Sequence, residues 1–118
     1  MPTAEFKKAL TSTRELTLTV IGRKSQRTIS LPVWFVHEGD ILYLLPVKGS
    51  DSDWYKNIVH TPSMTLSTKG AQISATVKPI TDPNQVREVV EKFRAKYGAP
   101  DVLRYYSKFD VAVEVGLD

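Results

Sequence analysis

The 118-residue sequence contains no cysteine. That excludes a disulfide scaffold, a zinc–thiolate site, an iron–sulfur cluster and a cysteine nucleophile together. Histidine is almost as scarce. His37 adjoins a predicted hairpin and His60 ends a predicted short helix, without partners at the spacing of a metal site or a serine–histidine triad. No metal is expected. The carboxylates Asp40, Asp51, Asp53, Asp82 and Asp101 fall at predicted caps and turns, and none forms an evident pair for acid–base work. No apolar run approaches the roughly 20 residues that cross a bilayer, so no transmembrane segment is expected. Met1 to Leu10 also lacks the apolar core of a signal peptide. With cysteine missing as well, the expected location is the cytoplasm.

What is present fits one ordinary globular domain over residues 1–118: 42% of residues are hydrophobic and 25% charged. The formal net charge of +3 favours anionic partners without identifying nucleic acid. No repeat, low-complexity tract or linker interrupts the chain.

Leu16 to Ile21 alternates and is rich in β-branched residues, which predicts a strand. Gly22 to Gln26 breaks it as a turn, and Arg27 to His37 resumes the extended pattern with Ile29, Leu31, Val33 and Phe35 on one face. Pro32, on the other face, removes a ladder donor and marks an edge or a bulge. Glu38-Gly39-Asp40 predicts a tight hairpin, and Ile41 to Val47 a third strand buried on both sides. Ser52 or Asp53 is placed to cap a short helix from Trp54 to His60. Ser63 to Thr68 and Ala71 to Ile80 form the next hairpin, around Lys69-Gly70.

Asp82, Pro83 and Gln85 then open the best-defined helix, with Val86, Val89, Val90, Phe93 and Tyr97 at helical spacing and Gly98 with Pro100 as its stop. A second short helix is expected from Asp101, and a last strand from Phe109 to Val115. Ala4 to Leu10 reads as a short amphipathic helix lidding the sheet, with contact to a membrane surface a distant second reading. The fold class is mainly β with α (α+β): about six antiparallel strands, with a helical excursion before the last, closing into a small barrel that removes its own edges.

Two segments carry more than loop chemistry. Gly22-Arg23-Lys24-Ser25-Gln26-Arg27 gathers three cations and a hydroxyl around a glycine, so its backbone N–H groups with Lys24, Ser25 and Arg27 would cradle an anion. Val47-Lys48-Gly49-Ser50 leaves the third strand just before a helix N-terminus, where glycine admits a ligand to the backbone and negative charge is favoured. Together they suggest a site for a phosphorylated cofactor or substrate. Trp34, Trp54, Tyr55, Tyr105 and Tyr106 are available to line a slot for a flat ring, although Trp54 is also expected in the core. Tyr105 and Tyr106 cannot both point inward from one helix, and Tyr106 is the one expected to face a pocket.

In order and spacing these elements resemble the deazaflavin-dependent nitroreductase (quinone reductase) family. The matching residues are Gly22-Arg23-Lys24-Ser25-Gln26, Leu31-Pro32-Val33, Lys48-Gly49-Ser50, Trp54-Tyr55-Lys56-Asn57-Ile58 and Pro62, within Leu16 to Ile80. The resemblance implies a split β-barrel of the FMN-binding, pyridoxamine-phosphate-oxidase-like type. It also implies coenzyme F-420, a deazaflavin, bound in a groove, with hydride passed to a quinone, nitro or activated-alkene acceptor. Lys24, Ser25 and Arg27 would then hold the anionic tail, and Pro32, Val47, Lys48 and Gly49 would run beside the ring and its anionic part. Trp54 and Asn57 would shape the pocket, with Trp34 and Tyr106 on the substrate side. The cofactor carries the hydride, so no catalytic side chain is expected. A homodimer and a small-molecule electron acceptor are the implied partners.

Gln26 stands where the family pattern has glycine, Ile29 where a basic residue is common, and Ser50 where a second glycine is usual. FMN is the alternative cofactor. The readings from other classes are a non-enzymatic carrier of a cofactor and a basic barrel binding single-stranded nucleic acid. The cations sit in turns instead of striping a strand between aromatics, so nucleic acid is not the expected partner.

Overall fold

The computed structural model describes residues 2–117. The alternating segments pair as an antiparallel closed barrel in the order β1-β2-β3-β6-β5-β4, with β1 at Glu15–Ile21, β2 at Thr28–Glu38, β3 at Ile41–Leu44, β4 at Ser63–Thr68, β5 at Ala71–Ile80 and β6 at Ala112–Gly116. The four helices are α1 (Pro2–Leu10), α2 (Asp53–His60), α3 (Pro83–Tyr97) and α4 (Ala99–Tyr105). The last strand does seal the gap left by the first five, pairing with β3 on one side and β5 on the other.

Period-two alternation sends one set of side chains into the barrel. Leu16, Leu18, Val20, Leu42, Leu44, Leu66, Val113 and Val115 meet there with Trp54 and Ile58 of α2, so the interior is filled. Phe6 and Leu10 of α1 join the same core, the helix lying mainly against β5 as a plug on the barrel wall. A second apolar layer lies outside, where Val86, Val89, Val90, Phe93 and Tyr97 of α3 cover Val36, Leu45, Ile80 and Ala112. Asp82 caps α3 by accepting from Gln85 N, with Pro83 following it, as the sequence pattern required.

Three local expectations are corrected. The third strand stops at Leu44, not Val47: Leu45 turns into the outer layer and Val47 and Lys48 swing away from the barrel. Ser52 stands at the N-cap of α2 without capping it, because its hydroxyl accepts from Lys48 N at 2.9 Å. Gly98 ends α3 after Tyr97 as expected, but α4 begins at Ala99, two residues before Asp101, with Pro100 in its first turn.

The barrel splits on β2. Through Trp34 the strand pairs with β1, and from Phe35 onward it pairs with β3, so residues 28–34 have no strand on their second side. Pro32 lies on that open stretch, where its missing N–H costs no ladder bond. At the changeover, the C-terminal turn of α3 supplies what a strand would. Phe35 N donates to the Tyr97 hydroxyl at 3.1 Å, Lys96 Nζ donates to Phe35 O at 2.7 Å, and the Tyr97 hydroxyl stands 2.6 Å from Arg14 O.

Lys96 makes this contact at a cost. Burial against the Phe35 ring, and then the charge of Arg14, push its amine down from 10.5 to about 8. Between those values the unfolded lysine keeps a proton that the folded one has lost, so the Lys96 contribution to stability rises with pH. Lys96→Met removes the titration. In denaturant unfolding, the stability of wild type relative to Lys96→Met is therefore expected to climb from pH 8 to pH 10.5, and a flat difference would contradict the burial of the amine.

Candidate functional site

The divergence of residues 45–48 from the open half of β2 leaves a groove of about 710 Å3 on the barrel surface, a volume usual for small-molecule sites. Ile29, Leu31, Pro32, Val33 and Trp34 form one wall, and Leu45, Val47, Lys48 and Asp51 to Trp54 the other. Asn57 closes the α2 side, Tyr105 and Tyr106 the α4 side, and Glu15 the Trp34 end. The lining is mostly apolar and aromatic, with a few polar groups among it.

The aromatic wall is ordered by stacking. Trp34 lies parallel to Tyr97 at 4.2 Å between ring centroids and meets Tyr105 edge-on at 5.4 Å. Helix α4 ends at Tyr105 and Tyr106 is extended, so the two adjacent tyrosines both reach the groove, contrary to the expectation that only one would. Tyr105 is exposed and Tyr106 buried. Burial, and secondarily the Tyr97 phenol, raise the Tyr106 pKa far above neutral, so its hydroxyl is a donor and not a base. That hydroxyl has no protein partner among the described residues.

Asn57 is the most constrained polar group in the groove. Its carbonyl oxygen accepts from Arg23 N at 3.1 Å and from Arg23 Nη1 at 2.8 Å, which fixes the amide orientation. The Nδ2 group has no protein partner, and no side-chain nitrogen or oxygen among the described residues is both buried and unpartnered. The amide therefore offers its N–H bonds to the groove it lines.

The two proposed anion segments are arranged differently from the sequence reading. In the β1–β2 turn, Gly22 N donates to Arg27 O, Gln26 N to Gly22 O, Arg27 N to Ser25 Oγ, and Arg23 N to Asn57. Those four N–H groups are engaged inside the protein. The side chains of Lys24 and Arg27 are exposed without an ion pair among the described residues, and neither they nor Ser25 line the groove.

Of the second segment, Val47 and Lys48 line the groove, together with Pro32, Trp34, Trp54, Asn57 and Tyr106, but Gly49 lies buried behind it. Gly49 has φ +55°, and its Cα faces Asp110 so closely that a Cβ would stand 2.1 Å from Oδ1. The Asp110 carboxylate takes the donors of this turn: Ser50 N at 2.9 Å and, by a short bond, the Ser50 hydroxyl. Burial raises the Asp110 pKa, but the two Ser50 donors and the charge of Lys108 outweigh it and hold the carboxyl below its usual range. Lys108 also reaches Asp51 at 3.1 Å, and Ser107 N donates to Val47 O at 2.8 Å. The wall at residues 47–52 is thus stapled to residues 107–110.

Glu15 and Asp110 carry no site signal in the sequence, and Arg23 and Tyr97 none for the roles they take here. Arg23 was visible only as one cation of three, and Glu15 carried no pattern at all. No group of histidines or carboxylates able to hold a metal ion exists among the described residues, and no described helix is long and apolar enough to cross a membrane.

Residues 7–112 match the family described as uncharacterized protein conserved in bacteria (DUF2255). The chain belongs to this family. No curated protein matches the DUF2255 chain. An F-420-H2 dependent reductase superposes on it with a TM-score of 0.66 and 16% identity, covering 86% of this chain and 93% of the other. A candidate 5-nitroimidazole antibiotic resistance protein of Bacteroides thetaiotaomicron gives 0.69 and 12%, over 96% and 78%. The heme storage protein HutZ of Vibrio cholerae also gives 0.69 and 12%, over 96% and 87%. At these identities the DUF2255 chain shares with them a fold, the split barrel of the FMN-binding and pyridoxamine-phosphate-oxidase-like proteins.

Proposed function

We propose that the chain is an oxidoreductase whose groove holds a deazaflavin, coenzyme F-420, and admits a quinone, nitro or activated-alkene acceptor. The observation that carries this reading is the groove itself: aromatic walls from Trp34, Trp54, Tyr105 and Tyr106 face a slot in which Asn57 Nδ2 and the Tyr106 hydroxyl are unpartnered donors. When bound, the cofactor supplies the hydride chemistry. The chain's own part is to seat the ring between apolar walls, to hydrogen-bond its polar edge through Asn57 and Tyr106, and to exclude water with Trp34, Pro32 and Val47. Lys48 is the cation within the groove, with Lys24 and Arg27 as further charges on the turn beyond it.

The charge balance favours FMN as a second reading. Glu15, Asp51 and Asp53 line the groove with Lys48, and Asp110 already occupies the Ser50 donors, which suits a compact phosphate better than a long polyanionic tail. Within either reading the chain acts as a single cytoplasmic domain and pairs as a homodimer. The exposed apolar residues Ile29, Val47 and Tyr105 at the groove support the pairing. A protein that binds cofactor but turns over no acceptor would be the carrier instead.

Fluorescence titration with oxidised deazaflavin and, separately, with FMN tests the proposal. Saturation by either, at the stoichiometry of the chain, supports the groove as a redox-cofactor site and decides between the two. Saturation by neither removes the enzymatic reading. Because Lys48 lines the groove and Lys24 does not, Lys48→Ala is expected to weaken binding by about 1.5–3 kcal/mol, the scale of a charge-assisted bond. Lys24→Ala should weaken it less and in a salt-sensitive way. Equal losses would place the anionic part on the turn.

A further inference from the structure

Just past the Trp34 end of the groove, two cations share one aromatic ring. Arg14 Cζ lies 5.4 Å and Lys96 Nζ 5.0 Å from the centroid of Tyr97. Trp34 covers one face of that ring in parallel contact at 4.2 Å, which leaves the two cations the opposite face and the rim. Neither has a carboxylate within ion-pair distance among the described residues.

Two neighbouring cations on α3, and Lys108 elsewhere, do have carboxylate partners. Lys92, one helical turn before Lys96, is paired with Glu38 at 2.9 Å, and Lys108 is paired with Asp51. Arg94, also on α3, is paired with Glu91. Glu15 follows Arg14 directly and acts electrostatically on Tyr97, yet it bonds to neither cation.

We propose that Arg14 and Lys96, set on the Tyr97 ring, form an oxyanion subsite that takes a carboxylate or phosphate group. The ring quadrupole attracts each cation but does nothing for their mutual repulsion. An oxyanion between them removes the repulsion and accepts charge-assisted bonds from the Arg14 guanidinium and from the Lys96 protons not used on Phe35 O. Burial first, and the charge of Arg14 second, lower the proton affinity of Lys96, and no carboxylate among the described residues offsets either. Trp34 is shared between the groove and the Tyr97 stack, so a groove ligand with an anionic arm and a free small anion are both sources of that group.

An NMR titration of the Lys96 side chain in isotopically labelled protein tests this, with inorganic phosphate, with acetate, and with chloride at matched ionic strength. Phosphate or acetate is expected to raise the Lys96 midpoint saturably and well beyond chloride. A rise of about one unit corresponds to roughly tenfold tighter binding by the protonated amine. In Arg14→Gln the midpoint should begin higher and respond little.

An equal response to chloride, or an undiminished phosphate response in Arg14→Gln, overturns the subsite. A rise produced by FMN or deazaflavin but not by the free anions keeps the subsite and assigns the anion to the groove ligand. A rise with phosphate in a protein that binds neither cofactor keeps the subsite while removing the proposed function. Arg14 is exposed and Lys96 is exposed along its stem with only the amine part-buried against Phe35, so Lys96→Gln, expected to fold, supplies the assignment control.

Discussion

Gly49→Ala is expected to destabilise the protein by about 2–4 kcal/mol and to spoil the groove from behind. The backbone at Gly49 is left-handed, at φ +55°, where a side chain costs about 1–2 kcal/mol. The added Cβ would also stand 2.1 Å from Asp110 Oδ1, far inside contact distance, so the carboxylate must move. Moving it gives up the Ser50 hydroxyl and N–H, bonds to a charged group worth about 1–2 kcal/mol at so exposed a position. The loss spreads further, because Lys48 and Val47 on the same segment form part of the groove wall.

Denaturant unfolding of the two single variants and of Gly49→Ala with Asp110→Ala separates the contributions. In the double variant the collision is gone and only the backbone cost of about 1–2 kcal/mol remains beyond Asp110→Ala alone. If the two changes were simply additive, the turn would have relaxed without Asp110, and the staple between residues 47–52 and 107–110 would carry little strain.

That staple also shows where reading the sequence runs out. The barrel was legible because alternation in β1, β4 and β5 and the helical spacing of Val86, Val89, Val90, Phe93 and Tyr97 are local signals. The end of β3 was not, because Leu44, Leu45 and Val47 are equally apolar while one faces the barrel, the next the α3 layer and the third the groove. An apolar run does not record which layer it faces.

The candidate groove was legible in part, for the same reason. Pro32, Trp34, Val47, Lys48, Trp54, Asn57 and Tyr106 stand together around one groove. The turn donors, however, are spent on partners distant in sequence: Asp110 lies 60 residues from Ser50, and Asn57 lies 34 from Arg23. A glycine with neighbouring cations reads the same whether the ligand it awaits is a cofactor phosphate or a carboxylate of its own chain. The difference is made by register, which only the closed barrel sets.

Asn57 brings both uses together, and two substitutions are expected to divide them. Asn57→Ala removes the acceptor for Arg23 N and the Arg23 guanidinium and leaves a part-buried N–H unpaired; the cost should be about 1–3 kcal/mol of stability. Among the described residues, the β1–β2 turn would keep only the longer contacts of Arg23 with Asp53, at 3.5 and 3.9 Å, as its polar tie to α2. Asn57→Asp keeps the acceptor and strengthens its attraction to Arg23, so most of that stability should remain. It removes the Nδ2 donor, however, and adds a carboxylate to a groove already lined by Glu15, Asp51 and Asp53. Binding of an anionic cofactor should therefore fall at least about tenfold in Asn57→Asp, a loss near 1.4 kcal/mol, in a protein that unfolds close to the wild-type midpoint. Paired measurements of unfolding and cofactor titration check this. If Asn57→Asp bound as tightly as wild type, the amide would serve only to hold the turn, and Tyr106 would remain as the unpartnered donor to the ring.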